Sequence, residues 1–240
     1  MPYIKEICKA GKTIETAEYY TSRYGCKGQR RAAHREPTPE AMRRVNERQA
    51  ATKLRRLINA NFGTGDVHLV LNYRREYTPE TEEARKHLGK FLRTARKYCR
   101  EQGKELRYIT VTEYKRTRVH HHLVIQEIPA RVLAAMWPYG RAHSTPLDGS
   151  GQYGKLAEYL LKETGRSAEE AEGAYRKRWN QSKNLIIPEP KKRVMKPNRW
   201  RREPKPRKGY YIDKESVREG IHEVTGYPYR QYIQVQLCGG

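Results

Sequence analysis

Hydrophobic and polar positions along this chain switch between two periods, and the switches mark out the elements. Tyr3 to Cys8 alternates weakly, Ala10-Gly11-Lys12 supplies a turn, and Thr13 to Thr21 continues as β-prone sequence, which predicts a hairpin over residues 3–20. Thr38-Pro39 carries a helix-start signal, with Thr38 as N-cap and Pro39 in the first turn. That helix runs through Val45, Leu54, Leu57 and Ile58 and stops near Asn61-Phe62-Gly63. Asp66 to Tyr73 alternates as a strand. Thr78-Pro79 repeats the start signal, Leu88, Phe91, Leu92, Ala95 and Tyr98 recur at helical spacing, and Gly103 closes that second helix. Leu106 to Glu113 and Arg118 to Gln126 read as two strands joined at Lys115-Arg116-Thr117. A short helix over 130–137 ends at Trp137-Pro138, Gly140 to Pro146 is a further strand, and Gly151 to Lys162 is a helix reaching Gly165. Tyr227 to Leu237 alternates once more. The order predicts one α+β domain, an antiparallel sheet with helices on one face.

Composition narrows what such a domain can be. Only 36% of the 240 residues are hydrophobic, which bounds the chain to one modest core. The formal net charge of +23 points to a polyanionic partner, nucleic acid before a membrane surface, since no basic amphipathic helix with a Trp/Leu face is present. No stretch has the length of a signal peptide's apolar core or of a membrane span. Cys8, Cys26, Cys99 and Cys238 are scattered without zinc spacing, as expected of a reduced, intracellular protein. Lys191 to Lys208 holds ten Lys/Arg interleaved with Pro and reads as an extended arm or linker.

The densest chemistry lies in Val119-His120-His121-His122-Leu123-Val124-Ile125-Gln126. On a strand, His120 and His122 point to one face and His121 to the other, so the first two, about 7 Å apart along the strand, can converge on one divalent ion. Three histidines on a solvated strand is the blander alternative, weakened by the apolar run that follows them. In a hairpin turning at Lys115–Thr117, Glu113 falls near His120 and completes a mixed nitrogen and oxygen set suited to Mg²⁺ or Mn²⁺; a salt bridge to Lys115 or Arg118 is its bland alternative. Downstream, Lys155, Tyr159 and Lys162 stand at i, i+4 and i+7 of one helix, a phenol flanked by cations that would favour phenolate and offset phosphoryl charge. Taken alone, a Tyr near Lys on a helix is usually a surface pair.

Together these motifs resemble the HUH endonuclease superfamily, whose members include rolling-circle replication initiators. His68-Leu69-Val70-Leu71-Asn72-Tyr73 is similar to that family's first motif, with Val70 and Asn72 at its Thr-type positions. Glu113 with the His pair resembles the second motif, and Tyr159-Leu160-Leu161-Lys162 the third, all in order between Asp66 and Lys162. The resemblance implies a ferredoxin-like core with the Tyr helix across the sheet, metal ligands Glu113, His120 and His122, and catalytic Tyr159 and Lys162. It implies a 5′-phosphotyrosine intermediate, origin DNA that is single-stranded or melted, a host helicase and polymerase as partners, and a bacterial cytoplasm as setting. The flanks carry no motif of that family, and the expected domain plan is a hairpin and basic-helix extension over 1–60, the nicking domain over 61–187, and a basic, Pro-rich arm with a C-terminal segment over 188–240. DNA contacts are expected at Lys155, Lys191, Lys192, Arg193, Arg199, Trp200, Arg201 and Arg202, with Trp200 as a stacking platform.

Gly149-Ser150-Gly151-Gln152-Tyr153-Gly154-Lys155-Leu156 imitates a phosphate-binding loop, but Leu156 stands where a hydroxyl must hold Mg²⁺, so no helicase motor is read here. Tyr153, six residues before Tyr159, is expected to pack or touch DNA rather than to act as a second nucleophile. Two competing functions remain: a single-stranded DNA transposase of the same class, and a non-catalytic basic nucleic-acid-binding protein.

Overall fold

A computed structural model describes residues 2–21, 38–114, 118–168, 178–196, 200–223 and 225–237, with backbone alone over 163–168. The fold is α+β, with two five-stranded antiparallel sheets and four helices among the described residues. It divides into two compact units, one from Met1–Ala60 with Ile187–Gly240 and the other from Asn61–Ile186. No described helix is long and apolar enough to cross a membrane.

In the first unit, β1 (Tyr3–Ala10) and β2 (Thr13–Tyr20) form the hairpin that alternation predicts. Gly11 at its turn has φ +55, and a Cβ there would run into the Asn59 carbonyl oxygen, so both conformation and space demand glycine. Helix α1 (Pro39–Asn61) starts as expected, the Thr38 hydroxyl accepting a bond from the Ala41 N–H at 3.2 Å. Leu54, Leu57 and Ile58 are buried, and Arg55 Nε and Arg56 Nε each reach one oxygen of Glu15 on β2 at 2.6 Å.

The sheet of this unit is completed by β8 (Lys191–Met195), β9 (Tyr210–Ile221) and β10 (Pro228–Gln236), in the order β8-β1-β2-β10-β9. The segment read from sequence as an arm or linker thus begins with an edge strand on β1, and the two flanks of the chain share one sheet. Its core explains why composition suggests room for only one. The interior holds charge as well as hydrocarbon: Arg230 donates to Glu18 from Nε at 2.9 Å and Nη2 at 2.6 Å, and Tyr3 donates its hydroxyl at 2.8 Å. Burial would raise the Glu18 pKa, but the hydrogen bonds from Arg230 and Tyr3 outweigh it and hold the carboxyl below its ordinary value. Arg230→Ala should therefore cost this unit about 3 kcal/mol, because the buried Glu18 carboxylate then keeps only the Tyr3 hydroxyl and the Lys5 ammonium, 3.1 Å away, to offset its burial. Urea unfolding of the variant measures that loss.

The second unit contains β3 (Val67–Tyr73), α2 (Thr81–Glu101), β4 (Tyr108–Glu113), β5 (His120–Ile125), α3 (Ala130–Ala135), β6 (Gly140–Pro146), α4 (Gly154–Ala168) and the two-residue β7 (Asn180–Gln181). Strand order is β6-β3-β5-β4-β7. Helix α2 begins two residues beyond Pro79, with Glu80 as N-cap and no side-chain cap bond; Glu82 and Glu83 bring negative charge to its first turn instead. Period-two alternation splits β3 cleanly. Val67, Leu69, Leu71 and Tyr73 are buried against Leu123, Ile125 and the apolar stripe Phe91, Leu92, Ala95 and Cys99 of α2. His68, Val70 and Asn72 point to the opposite face, where Tyr159 of α4 meets the rings of His68 and His122. Helices therefore cover both faces, not one. Gly140 is required where β6 crosses beside β3, since a Cβ there would strike the backbone of Asn72 and Tyr73.

Candidate active site

Strand register brings the ionisable residues together. In the β4–β5 ladder Glu113 lies directly opposite His120, and Val111 opposite His122. Directly paired residues share a face, so Glu113, His120 and His122 project from one side of the sheet. Their ligand atoms all lie within 4.8 Å of one another, with Glu113 and His122 buried and His120 partly so.

The hydrogen bonds of the two rings fix which nitrogen faces inward. His120 Nδ1 is 3.0 Å from the Arg118 carbonyl oxygen, which can only accept, so Nδ1 carries a proton. His120 Nε2 then faces Glu113 Oε2 at 3.1 Å. If that ring is neutral, two lone pairs confront each other, and a proton or a cation must stand between them. His122 Nε2 is buried with no hydrogen-bond partner among the described residues, an arrangement that costs free energy unless something binds there. Burial, then the neighbouring histidines, push the His122 pKa down to about 3, so the ring stays neutral and keeps its lone pair. Two imidazole nitrogens and a carboxylate can hold one divalent ion and leave coordination positions open for a substrate oxygen.

His121 occupies the other face, and its environment is structural. It is fully buried, with Nε2 3.1 Å from the Tyr73 hydroxyl and Nδ1 2.8 Å from the Thr112 hydroxyl. Alternation points it away from the triad as the sequence suggests, but it is not a spare residue. His121→Ala removes both bonds and leaves a cavity, at about 2–4 kcal/mol. Calorimetry should show a lowered Tm while the folded fraction keeps its ion affinity. Burial, then His120 and His87, also push its pKa down to about 3. The unfolded chain therefore binds this proton from about pH 6.5 downward while the folded one does not. Stability is full above that pH, falls by roughly 2 kcal/mol by pH 5 from this residue alone, and levels off near pH 3.

Helix α4 supplies the phenol. Ala157, Leu160 and Leu161 are buried, leaving Lys155, Tyr159 and Lys162 on its exposed side. Tyr159 is 45% exposed, and its ring meets those of His122 and His68 edge-on, at centroid distances of 5.4 and 6.1 Å. An accessible phenol thus stands beside the triad. Tyr153 differs: it is buried, donates its hydroxyl to the Asp148 carbonyl at 2.8 Å, and burial raises its pKa.

Of the basic residues expected to touch DNA, Lys155 lies on α4, and the other described ones belong to the first unit. Lys191, Lys192 and Arg193 are exposed on β8. Trp200 packs its ring against Tyr3 and Tyr20, with centroids 5.7 and 5.2 Å apart, and the Arg201 and Arg202 carbonyls accept bonds from Arg230. Arg199 and the Lys115–Thr117 turn lie outside the described residues. Sequence reasoning missed one member of the neighbourhood as a site residue, His68 on β3, whose Nε2 is 3.3 Å from His122 Nδ1. Alternation along β3 puts it on the face opposite Leu69 and Leu71. Only the pairing of β3 with β5, a long-range fact, shows that this is the face of the triad.

Residues 66–164 match the family model of replication-associated protein ORF2/G2P. The matched span includes β3, the triad and Tyr159, and it supports a replication initiator, with the DNA binding that role entails. No curated protein and no solved structure matches the chain.

Proposed function

We propose that this protein is an HUH-type endonuclease that nicks origin DNA through Tyr159 and so starts rolling-circle replication of a phage or plasmid genome. The observation that carries the reading is the Tyr159 ring in edge contact with His122, beside a Glu-His-His set with a buried nitrogen that has no hydrogen-bond partner among the described residues, inside a span that matches a replication family. A divalent ion held by Glu113, His120 and His122, Mg²⁺ or Mn²⁺ by the hardness of a phosphate substrate, would supply Lewis-acid polarisation of the scissile phosphate.

The chain's own groups do the rest. The Tyr159 oxygen attacks phosphorus and loses its proton, the P–O3′ bond breaks, and the departing O3′ takes up a proton. A 3′-OH is freed to prime synthesis, and the 5′ phosphate stays on Tyr159 as an ester, so the reverse attack can rejoin the strand. Lys162 and Lys155, on the same helix side, add positive charge near the phosphate. Incubation with Mn²⁺ and single-stranded oligonucleotides tiling the gene and its flanking DNA should yield a protein–DNA adduct. Binding without cleavage under all these conditions would instead make the protein a non-catalytic DNA-binding factor.

The basic strand β8 is suited to hold DNA by its phosphates. Deleting 191–208 would remove β8 and the carbonyls that anchor Arg230, so point substitutions are the sound test. Neutralising Lys191, Lys192 and Arg193 together should reduce the slope of log K against log salt by about 0.7 for each phosphate no longer neutralised, for all sequences alike. Fluorescence anisotropy over a salt series measures it; an unchanged slope removes β8 from the interface.

A further inference from the structure

The two histidines of the triad are held alike, except for the group that holds them. His120 turns its Nε2 to Glu113, His122 leaves its Nε2 buried with no hydrogen-bond partner among the described residues, and in both rings Nδ1 is the engaged nitrogen. For His120 the engaging group is a backbone carbonyl, which fixes the ring by itself. For His122 it is another side chain, His68, whose Nε2 lies 3.3 Å from His122 Nδ1. His68 and His122 are diagonal neighbours on adjacent strands: His68 pairs with Val124, and His122 with Val70. Their planes are only 12° from parallel and their centroids 5.5 Å apart, so the rings lie edge to edge about the Nε2···Nδ1 contact rather than face to face.

We propose that His68 is a positioning residue: it accepts the Nδ1 proton of His122, fixes that ring's tautomer and plane, and so aims the His122 Nε2 lone pair at the ion. The chemistry permits one assignment only. A metal-binding nitrogen needs its lone pair, so a neutral His122 that binds through Nε2 must carry its proton on Nδ1. The atom facing that proton must then be an acceptor, which makes His68 the Nδ1–H tautomer with its Nε2 lone pair turned to His122. A ligand histidine whose outer N–H has a fixed acceptor is the better and better-oriented ligand. His68 also meets the ring of Tyr159 edge-on, so the same side chain lies against both the proposed ligand and the proposed nucleophile.

The inference rests on the metal-site reading above, and two measurements keep the two separable. In the ion-free protein, a long-range proton–nitrogen NMR spectrum should show His122 as the Nδ1–H tautomer. His68→Leu should release it to the Nε2–H form. A wild-type His122 already protonated on Nε2 would overturn the proposal without reference to any ion. Mn²⁺ titration by EPR is the second measurement. His68→Leu should weaken affinity by about 10–100-fold, while His68→Gln, whose amide oxygen can replace Nε2 as acceptor, should recover most of it. Unchanged affinity in His68→Leu overturns the proposal. So does loss in both variants as deep as in His122→Ala, since His68 would then be a ligand itself. Wild-type protein that takes up no Mn²⁺ overturns the metal reading, and the wild-type arm alone reports it.

Discussion

Tyr159→Phe should abolish formation of a covalent protein–DNA adduct and of nicked product while leaving affinity for single-stranded DNA nearly unchanged. The substitution removes one oxygen from a side chain that is 45% exposed, so neither core packing nor net charge changes. What it removes is the only atom through which this residue could attack phosphorus, and the remaining groups would have nothing to form an ester with. Denaturing gel electrophoresis after incubation with Mn²⁺ and labelled oligonucleotide reads the effect directly, and anisotropy on the same samples shows that binding persists. An adduct that survives in Tyr159→Phe transfers the role to another residue.

His122→Ala should be comparably severe for nicking, through a different cause. It deletes one of the three ligand residues, a neutral ring whose buried Nε2 has no hydrogen-bond partner among the described residues, and leaves two of the three ligand atoms. Mn²⁺ affinity should drop by at least about 100-fold and nicking should vanish at any attainable ion concentration. The fold should survive, because His122 lies outside the hydrophobic cluster that unites α2 with the sheet. Calorimetry, EPR titration and the nicking assay on one preparation separate these effects. Nicking at wild-type rate without this ring would remove the ion from the mechanism.

The hairpin β1–β2, the strands β3, β4 and β5, and the helix bearing Tyr159 were legible because their signals are local. Alternation, a turn glycine, a capping threonine and a helical apolar stripe each fall within a few residues. The triad was legible for the same reason: a tight hairpin register is fixed by the strands it joins, so Glu113 opposite His120 follows from counting residues. What escaped was long-range or polar. Strands β8 and β9 are edge strands, and charged residues such as Lys191, Arg193, Lys214 and Arg218 hide their alternation, as sheet edges that resist further pairing often do. The second core escaped because Glu18, Arg230 and Glu15 fill part of it, and hydrophobic content cannot register a buried ion pair. His68 escaped because its partner lies 54 residues away on a neighbouring strand.

In the proposed reaction Tyr159 becomes esterified to DNA, and peptide mapping of the trapped adduct detects that ester. The protein would be incubated with Mn²⁺ and a cleavable single strand, digested with nuclease and protease, and sequenced by tandem mass spectrometry. A phosphonucleotide mass is expected on Tyr159, formed only when Glu113, His120 and His122 are intact and an ion is supplied. A modification on Tyr153 or any other residue, or an adduct that forms equally well in EDTA, would contradict it.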